Sequence, residues 1–148
     1  MRRNSKGFTL IELLIVVAII GIIAAIAIPN LLNAIDRGKQ KRSMADLRSI
    51  GTASEAYAVD NNHYPIGALA VVGPTLQPVY IKLMPANDGW NHPFTYAGQA
   101  LGVGYTVKSL GKDGVVEAGP AGAQTGDFDC DIIFIDGQFV QWPEGMQQ

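Results

Sequence analysis

Residues 13–35 read LLIVVAIIGIIAAIAIPNLLNAI, a run of 23 residues without a single charge. At a rise of about 1.5 Å per residue, about 20 apolar residues are enough to cross the hydrocarbon core of a membrane. A helix in a water-soluble protein would carry polar residues along one face, whereas residues 13–28 are apolar all round. The run therefore predicts a transmembrane helix.

The composition excludes several classes of protein. Hydrophobic residues make up 48% of the 148 residues and charged residues only 16%, so the chain must bury apolar surface and is not a long disordered protein. The one cysteine, Cys130, excludes an intrachain disulfide and a zinc site built from several cysteines, and we expect it to be buried within a strand. The net charge of −2 gives no reason to expect nucleic-acid binding.

The charges are divided unevenly between the two ends of the chain. Residues 1–48 carry a net charge of +5 and residues 49–148 a net charge of −7. Three basic residues within positions 1–6 precede the apolar run, and such flanks stay in the cytoplasm. The basic cluster at 37–42 favours the opposite orientation, but a long domain is translocated largely regardless of its charge. We therefore expect the C-terminal domain to lie outside the cytoplasm.

Two interpretations of the N-terminus compete. A secretory signal peptide would have a basic start, an apolar centre and a cleavage site at residues 25–27, whereas a leader cut before the run would leave the apolar helix in place. Glu12 and Pro29 do not suit a signal peptide, and the helical pattern continues beyond the first cut, so we favour the retained helix. The apolar residues that continue the helical spacing are Met44, Leu47, Ile50, Ala53 and Tyr57.

Residues 6–12 read KGFTLIE and, with the apolar run and Pro29 after them, resemble the leader of type IV pilins and of type II secretion pseudopilins. The resemblance implies that a prepilin peptidase cuts after Gly7 and N-methylates the new N-terminus at Phe8. Residues 1–7 would then be a cleaved leader, and residues 8–35 the transmembrane and polymerisation helix. The mature chain would carry a net charge of −5, because the leader holds three positive charges.

Glu12 places a carboxylate inside the predicted membrane span. Such a charge costs about 2.5–3.5 kcal/mol at the centre of a span and less near its end, so it needs a partner. After cleavage the remaining cation is the Phe8 amine, about one helical turn away in the same chain, and the carboxylate could pair there or reach the interface. The resemblance implies instead a pair with the Phe8 amine of a neighbouring chain, which would set the stagger of a helical polymer.

Gly21 and Pro29 are two further candidate assembly residues within the apolar run. Pro29 removes a backbone donor, so it either marks the end of the span with a kink or marks a segment that loses helicity on assembly. Gly21 and Ala25 form a small-xxx-small pattern that suits close helix packing, although such a pattern arises easily in an alanine-rich run.

Residues 36–148 are predicted to form a water-facing domain that begins with the second half of the same helix, 36–59. Pro and Gly punctuate residues 63–93 and predict loops, and Asp136-Gly137 between two apolar runs is a strong hairpin signal. The fold class is thus α+β, with a long N-terminal α-helix packed on a small antiparallel β-sheet over residues 93–142, and the resemblance makes it type IV pilin-like. The predicted strands are Pro93–Ala97, Tyr105–Leu110, Asp131–Ile135 and Gln138–Trp142.

Residues 80–85, 88–96 and 109–114 are similar to the major pseudopilin of type II secretion systems, and the absence of a cysteine pair also fits that family better than the disulfide-looped type IV pilins. Within the resemblance, the loop after residues 109–114 binds a calcium ion. The implied ligands are the carboxylates of Asp113, Asp127 and Asp129 and the carbonyl of Leu110.

The charge pattern of this region supplies a separate argument for calcium. Five acids lie within the 19 residues 113–131, and hard cations bind several carboxylate and carbonyl oxygens on a flexible loop. A solvated acidic loop is the alternative. The spacing of the last three acids starts like an EF-hand, but Ile132 replaces the required Gly and Gln138 the bidentate Glu.

The sequence carries no phosphate-binding P-loop and no zinc-protease motif, so we expect no enzymatic activity. We predict a pseudopilin, a structural subunit of a helical homopolymer that helps a type II secretion system to export proteins. The predicted partners are other copies of the chain, other pseudopilins, prepilin peptidase and an inner-membrane assembly platform. We expect a single-pass inner-membrane protein of a bacterium with a periplasmic C-terminal domain before assembly, and a periplasmic or extracellular filament afterwards. The alternatives are a type IV pilus subunit and, from a different class, a membrane-anchored binding module that never polymerises.

Overall fold

A computed structural model describes residues 7–117 and 124–143 of the chain. The fold is α+β, with a long N-terminal helix and a small sheet, as predicted. The chain divides into two compact units, Met1–Ile35 and Asp36–Gln148.

Helix α1 begins at Leu10 and ends at Asn61, so the prediction of one continuous helix is confirmed. It continues through Pro29 without a break in the helix. Asn62 follows with φ of 60°, a left-handed conformation that asparagine tolerates and that stops the helix.

The core of the second unit forms between α1 and the sheet. Leu47 and Ile50 of α1 are fully buried, and the other predicted helix positions, Met44 and Tyr57, pack partly buried against the same cluster. Gly51 of α1 follows Ile50 and faces the sheet, where an added Cβ would collide with the Phe134 ring. The helix therefore approaches the sheet more closely than any larger residue would allow. From the sheet, the cluster receives Tyr96, Tyr105, Val107, Ile132 and Phe134.

The sheet has five strands in the spatial order β1-β2-β4-β5-β3. The four predicted strands are present with boundaries shifted by one or two residues, and neighbours among them pair antiparallel. The predicted antiparallel pairing thus holds for these four strands, and a fifth, two-residue strand that was not predicted pairs parallel with β5 and makes the sheet mixed. The strands are β1 (Thr95–Gly98), β2 (Tyr105–Ser109), β3 (Gln124–Thr125), β4 (Ile132–Ile135) and β5 (Gln138–Pro143).

The hairpin predicted at Asp136-Gly137 is confirmed. Ile135 pairs with Gln138, and both turn residues have positive φ, 45° for Asp136 and 87° for Gly137. This is the backbone conformation that a two-residue hairpin loop requires and that an Asp-Gly pair adopts readily.

The Pro and Gly content of residues 63–93 predicts loops, but the range also contains a helix. Within this range helix α2 spans Leu69–Leu76, and beyond it a short 3-10 turn follows β1 at Ala100–Gly102. In α2, Val72 and Leu76 are buried in the core although Gly73 and Pro74 interrupt the helical preference, so tertiary burial outweighs local propensity here.

Cys130 is only half-buried and lies in the bend before β4, not within a strand as predicted. The strand begins at Ile132 because the Asp131 backbone N–H donates to the Glu117 carboxylate instead of joining the sheet. Burial raises the pKa of the Cys130 thiol most, and the negative charges of Glu117 and Asp127 raise this pKa further.

Candidate assembly and calcium-binding sites

The N-terminus of α1 is closed by a reciprocal cap between Thr9 and Glu12. The Thr9 backbone N–H and hydroxyl both donate to Glu12 Oε2, at 2.8 and 2.6 Å. The Glu12 backbone N–H donates to Thr9 Oγ1 at 3.3 Å. This is a capping box, in which two donors at the helix start find partners in each other's residue.

The cap means that Glu12 has local partners in a single chain, which the sequence reasoning missed. The signal was present as Thr9-x-x-Glu12 directly before an apolar run, the usual sequence pattern of a capping box. In the uncleaved chain Phe8 N is a peptide nitrogen, and the Glu12 carboxylate is satisfied by the two Thr9 donors. Any cation that binds Glu12 must add to, or replace, the Thr9 contacts.

The candidate processing and assembly residues all lie exposed along the first unit. Phe8 is 80% exposed, and an added Cβ at Gly7 or Gly21 would meet nothing within 4 Å. Within the described part of the chain, α1 is the one helix long and apolar enough to cross a membrane. Its most apolar window of 18 residues has a mean hydropathy of 3.1, and none of it is buried. A bare apolar helix of this kind needs lipid or other helices around it.

The two segments predicted to bind calcium lie against each other. Lys112 N donates to the Phe128 carbonyl at 2.9 Å, and an added Cβ at Gly111 would collide with the Asp129 carbonyl. Leu110 is buried directly before this turn. The tight contact and the positive φ of Gly111, 66°, explain why glycine follows Leu110.

The three candidate carboxylates on these segments are exposed, and two of them are bonded locally. Asp113 Oδ1 accepts from the Val115 N–H at 2.9 Å, and Asp127 Oδ1 accepts from the Asp129 N–H at 3.2 Å. Across residues 7–117 and 124–143, no three His, Cys, Asp or Glu side chains converge closely enough to hold a metal ion. The donor types and the adjacent segments suit a hard cation, but the side chains are not arranged around one.

The half-buried Glu117 and the fully buried Asp131 are bonded to each other and not to the exposed acids. Glu117 N donates to Asp131 Oδ2 at 3.1 Å, and Asp131 N donates to Glu117 Oε2 at 3.3 Å. Gln141 Nε2 donates to the same Glu117 oxygen at 3.0 Å, while Asp131 Oδ1 is buried without a hydrogen-bond partner. Burial raises the pKa of Asp131. The five acids are therefore not one cluster, and sequence spacing alone could not separate them.

The turn at residues 111–114 is tied to α1 through a mixed polar contact. Lys112 Nζ lies 3.0 Å from Asp36 Oδ2, and Trp90 Nε1 donates to Asp36 Oδ1 at 3.2 Å. Burial alone would raise the pKa of Asp36, but the hydrogen bonds from Lys112 and Trp90 and the charge of Lys112 outweigh it, so the pKa lies below its ordinary value.

Residues 88–92 form a compact loop around a buried carboxylate. Asp88 Oδ1 accepts from the backbone N–H groups of Trp90 and His92, both at 2.9 Å, and Ser109 Oγ donates to Asp88 Oδ2 at 2.7 Å. Gly89 packs on the Lys39 carbonyl of α1 with no room for a Cβ. The loop thus depends on residues of the segment that carried the family resemblance.

The comparison that decides the family covers most of this unit. Residues 30–127 match the family model described as "Type II secretion system (T2SS), protein G". The chain belongs to this family. Residues 2–28 of this protein G family member match a second model, the prokaryotic N-terminal methylation motif, which contains the predicted processing residues.

Individual relatives of this protein G family member agree with that result. It is 34% identical over 140 residues to the type II secretion system core protein G of Pseudomonas aeruginosa, covering 86% of this chain and 98% of the relative. The protein of the same name from Escherichia coli is 32% identical over 123 residues, 75% of this chain and 84% of the relative. The "Type IV wide pilus major component PilA4" of Thermus thermophilus is 46% identical, but only over 85 residues, 57% of this chain and 61% of the relative. No solved structure is significantly similar.

Proposed function

We propose that this chain is the major pseudopilin of a type II secretion system, a structural subunit that polymerises through α1 and supports protein export. The observation that carries the proposal is an uncovered apolar helix whose start holds a carboxylate, in a chain of the protein G family. A type IV pilus subunit is the second candidate, because the Thermus pilin is more identical over its shorter match. Surface fibres on cells that express the chain would favour the pilin. Periplasmic filaments without surface fibres would favour the pseudopilin.

We further propose that prepilin peptidase cuts after Gly7 and methylates Phe8, and that the mature chain stands in the inner membrane with residues 36–148 in the periplasm. The methylation motif and the exposure of both residues support the proposal. Intact mass spectrometry of the membrane-extracted protein tests it. The expected mass lacks residues 1–7 and gains one methyl group, whereas a chain that begins at residue 1 or after Ala27 would contradict it.

Pairing between Glu12 and the Phe8 amine of a neighbouring chain is the proposed source of the filament's stagger. The Thr9 cap offers a competing role, because Glu12 would then matter for the helix start alone. Thr9→Val removes the hydroxyl and keeps the Thr9 N–H contact, while Glu12→Val removes the carboxylate. We expect Thr9→Val to retain filaments and Glu12→Val to lose them. Equal losses from the two variants would assign Glu12 to the cap instead.

Calcium binding is proposed at the two adjacent segments that carry Leu110, Asp113, Asp127 and Asp129. Their exposed carboxylates repel one another, and a cation would relieve the repulsion. In the detergent-solubilised full-length protein, 1:1 calcium binding should raise the melting temperature, and Asp113→Asn combined with Asp127→Asn should abolish that rise. Asp60→Asn, an acid on the far end of α1, is the control. A melting temperature that does not depend on calcium would contradict the site.

The proposed partners follow from the assembly role. They are further copies of this chain and other pseudopilins in the filament, prepilin peptidase during maturation, and an inner-membrane assembly platform. A membrane-anchored module that never polymerises would show the same processing but remain monomeric in membrane extracts. Chemical crosslinking in intact cells separates the two, since a ladder of oligomers is expected only from the filament subunit.

A further inference from the structure

A groove with an apolar floor and a basic rim runs along the second half of α1, within the second unit. It encloses about 680 Å³ and is bounded by α1, residues 80–82 and β5. Its floor includes Met44, Ala53, Ile81 and Phe139. We refer to this feature as the basic groove.

The rim of the basic groove consists of Lys41, Arg48 and Lys82, all exposed. The Arg48 guanidinium lies 5.3 Å from the centroid of the Phe139 ring, which holds it over the apolar floor. In the part of the chain that the structure describes, the two salt bridges engage other cations, so none of the three rim charges is neutralised by a carboxylate. A fitting occupant is therefore apolar in its centre and negatively charged at its edges.

The chain itself carries such an element at residues 113–117, which read DGVVE. We refer to it as the valine segment. Val115 and Val116 are 60% and 61% exposed, with the exposed Asp113 before them and the half-buried Glu117, whose carboxylate is already bonded, after them. Two adjacent exposed valines beside an exposed carboxylate suit the apolar floor and the basic rim in character.

The valine segment is held in place before any partner arrives. Asp113 Oδ1 accepts from the Val115 N–H at 2.9 Å, and Glu117 is bonded through its backbone and carboxylate to Asp131. A segment fixed at both ends loses little conformational entropy when it docks. The exposed acids Asp127 and Asp129 on the adjoining segment add negative charge around it. With Asp113 they carry three negative charges, so the calcium ion proposed above would still leave this surface with one.

A chain does not fill the groove with its own valine segment, because no residue of 113–117 lines the groove. The two surfaces are different patches of one chain, so a contact between copies is heterologous. Heterologous contacts join subunits head to tail and generate open helical filaments when the rotation does not close.

We propose that the valine segment of one copy docks into the basic groove of a neighbouring copy, as a second assembly contact outside the membrane helix. The proposal rests on the proposed function, since it assigns the interface of that same filament. It also accounts for the opposite charges of the two surfaces, which steer the correct orientation and suppress others.

Disulfide crosslinking in cells tests the contact directly. Two full-length chains with Cys130→Ser and different tags are co-expressed, one carrying Val116→Cys and the other Thr52→Cys in the groove wall. Mild oxidation of assembled filaments should yield the mixed dimer. The matched control replaces Thr52→Cys with Leu101→Cys, which is 87% exposed and does not line the groove. Adding Lys82→Glu to the groove chain should lower the dimer yield about fivefold, and Lys82→Arg should retain it.

The outcomes distinguish this inference from the function on which it rests. Filaments without the 52–116 dimer, an equal yield with the Leu101 control, or a Thr52 crosslink to a different protein would overturn the docking contact and leave the filament role intact. Absence of filaments from the unmodified chain would overturn the proposed function itself. A 52–116 dimer that depends on the Lys82 charge supports both.

Discussion

At the scale of single residues, the carboxylates of this chain have very different surroundings. Glu12 accepts two hydrogen bonds from Thr9 at a helix start, whereas Asp88 holds a buried loop together. Asp131 is fully buried beside Glu117 with one oxygen unpaired. The role of each acid therefore depends on which backbone donors reach it, and not on the local density of negative charge.

Asp131→Asn should stabilise the folded protein at neutral and higher pH. The raised pKa means that the folded chain binds this proton more tightly than the unfolded chain, so stability falls as pH rises from about 4, the ordinary value for Asp, upward through the raised value. The uncharged amide removes that loss, and we expect a gain of about 1 kcal/mol in the free energy of unfolding at pH 8 and a smaller one at pH 4.

Urea unfolding of the detergent-solubilised protein at the two pH values measures this effect. Asp113→Asn, in excess chelator, is the control, because its exposed carboxylate should change stability by less than about 0.5 kcal/mol. A loss of stability at pH 8 in the Asp131 variant would show that the buried charge is compensated.

At the scale of elements, the packing of α1 on the sheet determines which helix positions accept change. Leu47 and Ile50 were predictable because their helical spacing shows on the sequence, and the Asp136-Gly137 hairpin was predictable because few residue pairs adopt its backbone. Helix α2 and strand β3 were not, since a short helix that contains Pro74 and a strand of two residues form through tertiary contacts.

The candidate sites were predictable to a different degree. The leader and Glu12 stand out because a charge in an apolar run is conspicuous, and Thr9 was missed although its pattern was visible. Glu117 and Asp131 are bonded to each other although they lie 14 residues apart in sequence, whereas Asp113 stays exposed. No local sequence pattern predicts such a contact. Sequence reasoning thus located the acidic region but not its division.

Gly51→Ala should destabilise the second unit by about 2 kcal/mol, because the new methyl group would collide with the Phe134 ring and approach the Tyr105 hydroxyl at 2.9 Å. Gly38→Ala provides the matched control on the same helix. Its site is exposed and open, so the alanine should stabilise the helix by about 0.5–1 kcal/mol. Thermal melting monitored by circular dichroism should show a lower melting temperature for Gly51→Ala and a higher one for Gly38→Ala. Equal shifts of the melting temperature in the two variants would contradict the close approach of α1 to the sheet.

Lys112→Met should weaken the attachment of the 111–114 turn to α1 at pH 7, because the variant loses the 3.0 Å contact with Asp36, and solvent around the half-exposed Lys112 side chain keeps the effect small. The lowered pKa of Asp36 gives stability that is present above the ordinary Asp value of about 4 and lost as pH falls through the lowered value. The difference between variant and wild type should therefore shrink at pH 3.

Arg42→Met is the matched control for the Lys112 variant. Arg42 pairs with Asp46 at 3.6 Å with 68% of its side chain exposed, and we expect little change at either pH. Chemical denaturation at pH 7 and pH 3 provides the comparison. An undiminished difference at pH 3 would mean that Lys112 acts through packing and not through the charge of Asp36.

At the scale of the whole molecule, two features of the chain call for further copies of it. The first unit presents apolar side chains that the chain itself does not cover, and the second presents a basic groove and an acidic valine segment on different surfaces. Membership in the protein G family gives these surfaces a shared explanation in assembly. In the proposed filament both surfaces take part, and Glu12 is the residue whose loss we expect to leave membrane insertion intact.

Electron microscopy of filaments from cells that express wild type, Glu12→Val or Ile11→Val at equal membrane levels tests the central claim most directly. The account predicts abundant filaments from wild type and from Ile11→Val, which keeps the span apolar, and none from Glu12→Val, although that variant inserts as well or better. Filaments of normal yield from Glu12→Val would contradict assembly through this carboxylate.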